Sequence, residues 1–314
     1  MKIKNNTAEL WDSVWDKPTT VEKDLYTVAK EERLIRWQRM EAMILKRFGS
    51  FEGLSAIEIG AGRGTNAALM AQRGAKVTVL DYSDAALERA QRLFDALDLQ
   101  VELVNDDALD LPESQRDRYD VSMSFGLAEH FLDARRSGIL KAHFDVLNDN
   151  GLTFISVPNS RNPPYRLYKW ITERTGAWGV GEEYPFTREE LEKYCAELGI
   201  EEYGFFGDSL WRSKRFLNPI KWVPRHKKRA RASEPSPPIA RPDAGHASSD
   251  DAPATTSAQG APASEAVTKQ PPGQAERRYH RRVPKRESGT SLDAKYSYAL
   301  VLWGTKQKNA ISNV

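Results

Sequence analysis

Apolar runs of four to six residues recur along the first half of the chain, and amphipathic stretches of nine to fourteen residues separate several of them. Residues 56–59, 76–80, 100–104, 119–124 and 152–157 read as buried strands, whereas 65–73, 84–97 and 134–147 carry apolar residues at three- and four-residue steps and read as helices. Strands that alternate with helices bury both faces of a parallel sheet, so the pattern predicts a doubly wound α/β fold. Upstream, Leu25, Val28, Leu34, Trp37, Met40, Ile44 and Leu45 keep the helical step across 21–48, and Gly49 stops it. This helix is expected to cover the entrance to the site. Thr187 and Glu190 have capping-box spacing for a helix that Gly199 ends. A sixth strand is expected at about 202–206 and a seventh, far displaced, at 296–303.

The composition between those last two strands differs from the rest. Of the 45 residues in 232–276, 25 are Ala, Ser or Pro, none is aromatic, and only Ile239 and Val267 are large aliphatics. Such a stretch buries too little apolar surface to offset its ordering entropy, so it is expected to be disordered. The division that follows is a helical cap over 1–50, the α/β domain over 51–210, an aromatic and basic segment over 211–224, a disordered basic insertion over 225–290, and the final strand within 291–306.

Charge follows this division. The whole chain carries +2, but 211–290 holds 17 Lys/Arg against 7 Asp/Glu, so the remainder is acidic. Arg225, Lys227, Lys228, Arg229 and Arg231 precede the low-complexity stretch, and Arg277, Arg278, Arg281, Arg282, Lys285 and Arg286 follow it. Just before them, Trp211, Phe216, Leu217 and Trp222 are interleaved with Arg212, Lys214, Arg215 and Lys221, a mixture suited to a substrate lid or to peripheral contact with an anionic membrane. No recognition module accompanies the charge, which disfavours nucleic acid as a partner. One cysteine, Cys195, excludes an internal disulfide framework and predicts a reducing, cytoplasmic setting. No apolar run has the length of a signal-peptide core or a membrane span.

The candidate chemistry sits where the first strand ends. Glu58, Gly60, Ala61, Gly62 and Gly64 form a turn in which an acid and three alternate glycines precede a helix, and Asp81 closes the second strand. Glycine permits both the unusual dihedrals and the close approach of a ligand to the backbone, and amides at the helix start favour negative charge. A carboxylate at the end of the second strand can accept from both hydroxyls of a ribose, as at the switch point of an open sheet. A dinucleotide fingerprint needs its third glycine five positions after the first, where Thr65 stands. The spacing points instead to S-adenosylmethionine.

After the third strand comes Asn105-Asp106-Asp107-Ala108-Leu109-Asp110-Leu111-Pro112, and after the fourth comes Phe125-Gly126-Leu127-Ala128-Glu129-His130. With these landmarks the chain resembles the class I S-adenosylmethionine-dependent methyltransferases, in particular the small-molecule branch that includes the ubiquinone-biosynthesis O-methyltransferases. The resemblance implies a Rossmann-like sheet of seven strands with an antiparallel last strand inserted between the fifth and sixth. It also implies that Asp107 takes the adenine amino group with the Ala108 amide near a ring nitrogen, that Tyr82 covers an adenine face, and that Phe125 belongs to the cofactor site.

His130 is the candidate general base, since an unperturbed imidazole titrates near neutrality. His143, inside a helical apolar pattern, reads as structural. Some relatives hold a divalent metal through an acid-rich version of the Glu-His segment, but only Glu129 and His130 match here, so no metal is expected. Trp11, Trp15, Tyr165, Tyr168, Trp170, Trp178, Tyr184 and Phe186 are candidate walls of a pocket for a bulky or apolar acceptor, such as a lipid, a quinone-like ring or a lipid-linked sugar. The expected function is O-methylation of a small-molecule, lipid or lipid-linked glycan acceptor by in-line methyl transfer. The alternatives are a non-catalytic scaffold on the same fold and a nucleic-acid-associated enzyme led by its basic insertion. The acceptor and the oligomeric state are not legible.

Overall fold

A computed structural model describes residues 6–219 and 289–307. Seven strands, β1 (Ser55–Ile59), β2 (Lys76–Asp81), β3 (Glu102–Asn105), β4 (Tyr119–Phe125), β5 (Leu147–Pro158), β6 (Tyr203–Gly207) and β7 (Ala299–Thr305), form one sheet in the order β3-β2-β1-β4-β5-β7-β6. The pairs among β1 to β5 are parallel, and β7 is antiparallel to both β5 and β6. The doubly wound seven-stranded sheet with its antiparallel last strand is therefore present. The basic clusters and the stretch expected to be disordered lie outside the described residues.

Nine helices are present among the described residues: α1 (Ala8–Trp15), α2 (Val21–Glu31), α3 (Ile35–Phe48), α4 (Thr65–Ala71), α5 (Asp84–Ala96), α6 (Asp133–Asp145), α7 (Pro163–Thr175), α8 (Arg188–Glu197) and α9 (Asp293–Tyr296). One face of the sheet packs Val79, Val121 and Phe154 under Trp37, Met40 and Ile44 of α3, with α4 and α5 beside them. The other packs Ile57, Ile155 and Leu302 under Ile139 and Phe144 of α6 and Leu191 and Cys195 of α8. Both faces are covered, as a parallel sheet requires.

The single helix expected over 21–48 is two helices, and the phase of its apolar residues explains the break. At 100° per residue, Val28 and Trp37 would project from opposite sides of one straight helix. Breaking after Glu31 lets both be buried, Val28 at 3% exposure and Trp37 at 0%. The capping box is half made. Thr187 Oγ1 accepts from the Glu190 amide at 3.0 Å, but the Glu190 carboxylate accepts from Arg136 at 2.7 Å.

The last strand starts at Ala299 rather than at 296 because α9 takes the preceding residues. Asp293, 1% exposed, accepts from the Thr290 and Leu210 amides and from Arg39, and so ties the returning chain to α3 and to the end of β6. Among the described residues no helix is long and apolar enough to cross a membrane.

Candidate active site

The turn after β1 is built by glycine. Gly62 has φ +55° and Gly64, the residue before α4, has φ +67°, both in the left-handed region that side chains penalise. A Cβ on Gly64 would stand 2.9 Å from Val79, so this glycine also serves the packing of α4 on β2. Gly62 donates its amide to Asp81 Oδ2 at 2.8 Å, and Asp81 Oδ1 accepts from the Ser83 amide at 3.0 Å. Asp81 thus joins the turn after β1 to the turn after β2. Burial pushes its pKa up, against the pull of those amides.

Glu58 is buried beneath the same turn and accepts from the Ala67 amide of α4 at 2.7 Å. Burial raises its pKa to about 7, although that amide and Asn66 act the other way. The pocket thus holds a carboxyl poised between its neutral and ionised forms near physiological pH. Asn66 Oδ1, buried beside it, has no hydrogen-bond partner among the described residues.

A cavity of about 780 Å³ opens over this turn. Glu58, Gly60, Ala61, Asp81, Tyr82, Asp107, Phe125 and His130 all line it. Gly62 forms part of the turn beneath Trp15, while Gly64 and the buried Ala108 stand behind the wall. Asp107 lies on the loop after β3, where its Oδ1 accepts from the Leu109 amide at 2.9 Å. Tyr82 is half-buried, and burial together with Asp81 and Asp107 raises the pKa of its phenol, so it stays neutral.

At the far end of the cavity, the short 3₁₀ turn Ala128–His130 follows β4. His130 Nδ1 lies 2.6 Å from the carbonyl oxygen of Glu182. A carbonyl only accepts, so Nδ1 carries the proton and Nε2 is the basic nitrogen of the neutral ring. Burial holds the ring below its ordinary pKa of 6.5, partly opposed by the carbonyls of Glu182 and Gly126. Asn6 fixes this corner, donating to the carbonyls of both His130 and Glu182 at 3.0 Å, and Trp11 packs edge-on against the imidazole at 4.9 Å. His143 is wholly buried with Nδ1 2.7 Å from the Ile139 carbonyl, and burial lowers its pKa to about 4, so it is a core residue.

The aromatic candidates divide. Trp11, Trp15 and Tyr184 line the cavity, with Trp15 over the glycine turn rather than at the far end. Tyr165 and Phe186 are core residues, Tyr168 packs on Trp178 and Phe216, and Trp170 is 52% exposed. Sequence reasoning missed Glu31 and Arg36, which enter the wall because the helix breaks between them. Arg36 donates through Nε to Glu31 at 2.9 Å and lies 4.6 Å over the Phe125 ring. The half-turn phase slip between Val28 and Trp37 was the available signal. Among the described residues, no group of three or more His, Cys, Asp or Glu could hold a metal ion.

The fold and this site define a seven-stranded sheet with a cavity over a glycine turn at its switch point. Residues 56–151 match the family model described as a methyltransferase domain. The ubiquinone biosynthesis O-methyltransferase of Leptothrix cholodnii is 30% identical over 49% of this chain and 66% of its own length. That of Alkalilimnicola ehrlichii is 32% identical over 55% of this chain and 68% of its own. The chain spans just under two thirds of the first of these relatives. A solved structure from Thermotoga maritima, described as a possible histamine N-methyltransferase, aligns over 95% of this chain and 99% of its own at 14% identity and a TM-score of 0.49. The chain belongs to the class I S-adenosylmethionine-dependent methyltransferases, and S-adenosylmethionine is the cofactor of that family.

Proposed function

We propose that this protein methylates a hydroxyl group of a small-molecule or lipid-like acceptor. The observation that carries the reading is His130, a neutral imidazole with its tautomer fixed by Glu182, in the same cavity as the glycine turn and Asp81. When bound, S-adenosylmethionine would supply an electrophilic methyl group, its sulfur keeping the electron pair of the broken bond and leaving as a neutral thioether. The chain's own residues then have three tasks. The turn from Gly60 to Gly64 and Asp81 hold the nucleoside end, with Tyr82 and Asp107 toward the base. Trp11, Trp15 and Tyr184 wall the cavity against water. His130 Nε2 accepts the hydroxyl proton as the acceptor oxygen forms its new bond, and the Glu182 carbonyl steadies the resulting imidazolium. Most of the remaining acceleration comes from alignment of the acceptor.

Labelled S-adenosylmethionine added to cell extract containing the protein tests this reading. Label is expected in the small-molecule or lipid fraction, as an ether resistant to mild base. Label in protein or RNA would reject it.

Two expected outcomes concern the cofactor end. Removing the Asp81 carboxylate by Asp81→Ala strips two ribose hydroxyls of their acceptor and frees the Gly62 amide. The cost is about 1.5–3 kcal/mol, or roughly a tenfold to hundredfold loss of affinity. Calorimetry with S-adenosylhomocysteine measures it, and unchanged affinity in folded protein would reject the ribose assignment.

Glu58 should impose a pH dependence. With its pKa at about 7, it is neutral below that pH and anionic above it, and the anionic form favours a ligand that carries positive charge. Affinity for S-adenosylmethionine should therefore rise about tenfold from pH 6 to pH 8. In Glu58→Gln protein the dependence should vanish.

A further inference from the structure

One surface outside the lining of the cavity is unlike the rest. Helix α7 turns Tyr165 and Thr172 inward, and leaves Arg166, Leu167, Trp170 and Arg174 exposed at helical spacing along its outer side. The 3₁₀ segment Leu210–Leu217 packs against α7 through Phe216, whose ring lies 5.2 Å from that of Tyr168. It too leaves large apolar side chains outside, Trp211 at 60% exposure and Leu217 at 50%, as α7 leaves Trp170 at 52% and Leu167 at 45%. Four large apolar side chains exposed on two packed elements exceed the scattered exposure normal to a soluble surface.

The cations are arranged with them. Arg174 lies 4.1 Å over the Trp170 ring and Lys214 lies 4.3 Å over the Trp211 ring. Acids are few. Helix α7 has one, Glu173, and it is paired with Lys169. From 210 to 233 the sequence holds nine Lys/Arg and no Asp or Glu, although the chain as a whole is almost neutral. Indole rings with cations stacked on them, on two elements that also expose leucines and whose one acid on α7 is already paired, have the chemistry of the boundary between lipid headgroups and acyl chains. A nucleic acid would use the cations and the indoles but offers nothing to Leu167 and Leu217.

We infer that the outer face formed by α7 and Leu210–Leu217 docks this protein on an anionic lipid surface. Arg166, Arg174 and Lys214 meet the headgroups, and Trp170, Trp211, Leu167 and Leu217 enter the interface. Attraction of the cations brings the face to the membrane and burial of the apolar side chains holds it there. The inference does not rest on methyl transfer, because binding is read without cofactor or acceptor.

Co-sedimentation of the full chain with vesicles tests it. Vesicles of phosphatidylcholine with 30 mol% phosphatidylglycerol are compared with phosphatidylcholine alone, at about 0.1 M and 0.5 M salt. Partitioning should be at least tenfold stronger on the anionic vesicles at low salt and should fall at high salt. Trp170→Ser with Trp211→Ser and Leu217→Ser should weaken it about tenfold or more, and Lys214→Glu about fivefold or more. All variants should keep the thermal shift given by S-adenosylhomocysteine, which reports folding. Equal binding to both vesicles, or anionic binding that the triple variant retains, would overturn the proposal. So would a dimer in light scattering that the triple variant abolishes, since the face would then bind a second copy. The same loss seen on an RNA oligomer but not on vesicles would reassign the face to nucleic acid.

Discussion

Gly62→Val should abolish binding of S-adenosylhomocysteine while leaving a folded protein. Two effects combine. The native φ of +55° is strained for any residue with a Cβ and most of all for a β-branched one, at a cost of about 1–2 kcal/mol. The new side chain also has no room, because a Cβ at this position would stand 2.2 Å from Cζ2 of Trp15. Overpacking of that kind costs about 1–3 kcal/mol more, and either α1 or the turn must move to relieve it. Together these predict a loss of affinity of about a hundredfold or more. Calorimetry measures the loss, with NAD as a ligand expected to give no heat in either protein. Adding Trp15→Ala separates the two effects. If the double variant recovers most of the affinity, overlap with the indole dominates; if it does not, backbone strain and the side chain's intrusion on the nucleoside do. Wild-type affinity in Gly62→Val alone would remove the glycine turn from the cofactor site.

The parts of this molecule legible from sequence are those in which one local rule decides. Strand and helix alternation from β1 to β5 predicted the parallel sheet, because each buried run is short, apolar and bounded by a turn. The glycine turn and Asp81 were legible because their spacing is dictated by backbone geometry rather than by partners. The break between α2 and α3 was missed since the three- and four-residue steps look continuous; only the angular sum from Val28 to Trp37 reveals it. Its consequence was missed with it, for Glu31 and Arg36 line the cavity only because the chain turns between them. The aromatic residues after β5 misled for a different reason. Tyrosine and tryptophan serve cores, surfaces and pockets alike, and composition does not say which. Tyr165 is 1% exposed, Trp170 is 52% exposed, and Tyr184 faces the cavity. Helix α1 carries the same lesson. It has no buried residue, yet Trp11 reaches His130 and Trp15 reaches the glycine turn, so it spans both ends of the site through long-range contacts that no periodicity encodes.

His130→Ala should lower kcat by about a hundredfold or more and leave cofactor affinity nearly intact. The base must be neutral to accept a proton, and burial keeps the pKa of His130 below 6.5. In the wild-type enzyme kcat should therefore rise with pH through a value below 6.5 and stay flat across neutrality. In the variant that limb should disappear. The defect should also shrink with a more acidic acceptor hydroxyl, which needs less help in ionising. Orientation contributes separately, because Asn6 holds the carbonyls of both His130 and Glu182. Asn6→Ala should thus cost kcat less than His130→Ala does, and should preserve the pH limb, since the imidazole remains. Stopped-flow single turnovers with a phenolic and an aliphatic acceptor, at pH values from 5 to 8, measure all of these. If the variant turned over at the wild-type rate with the limb intact, His130 would be a structural residue of the 3₁₀ turn. Catalysis would then rest on the alignment imposed by Trp11 and Tyr184 around the acceptor.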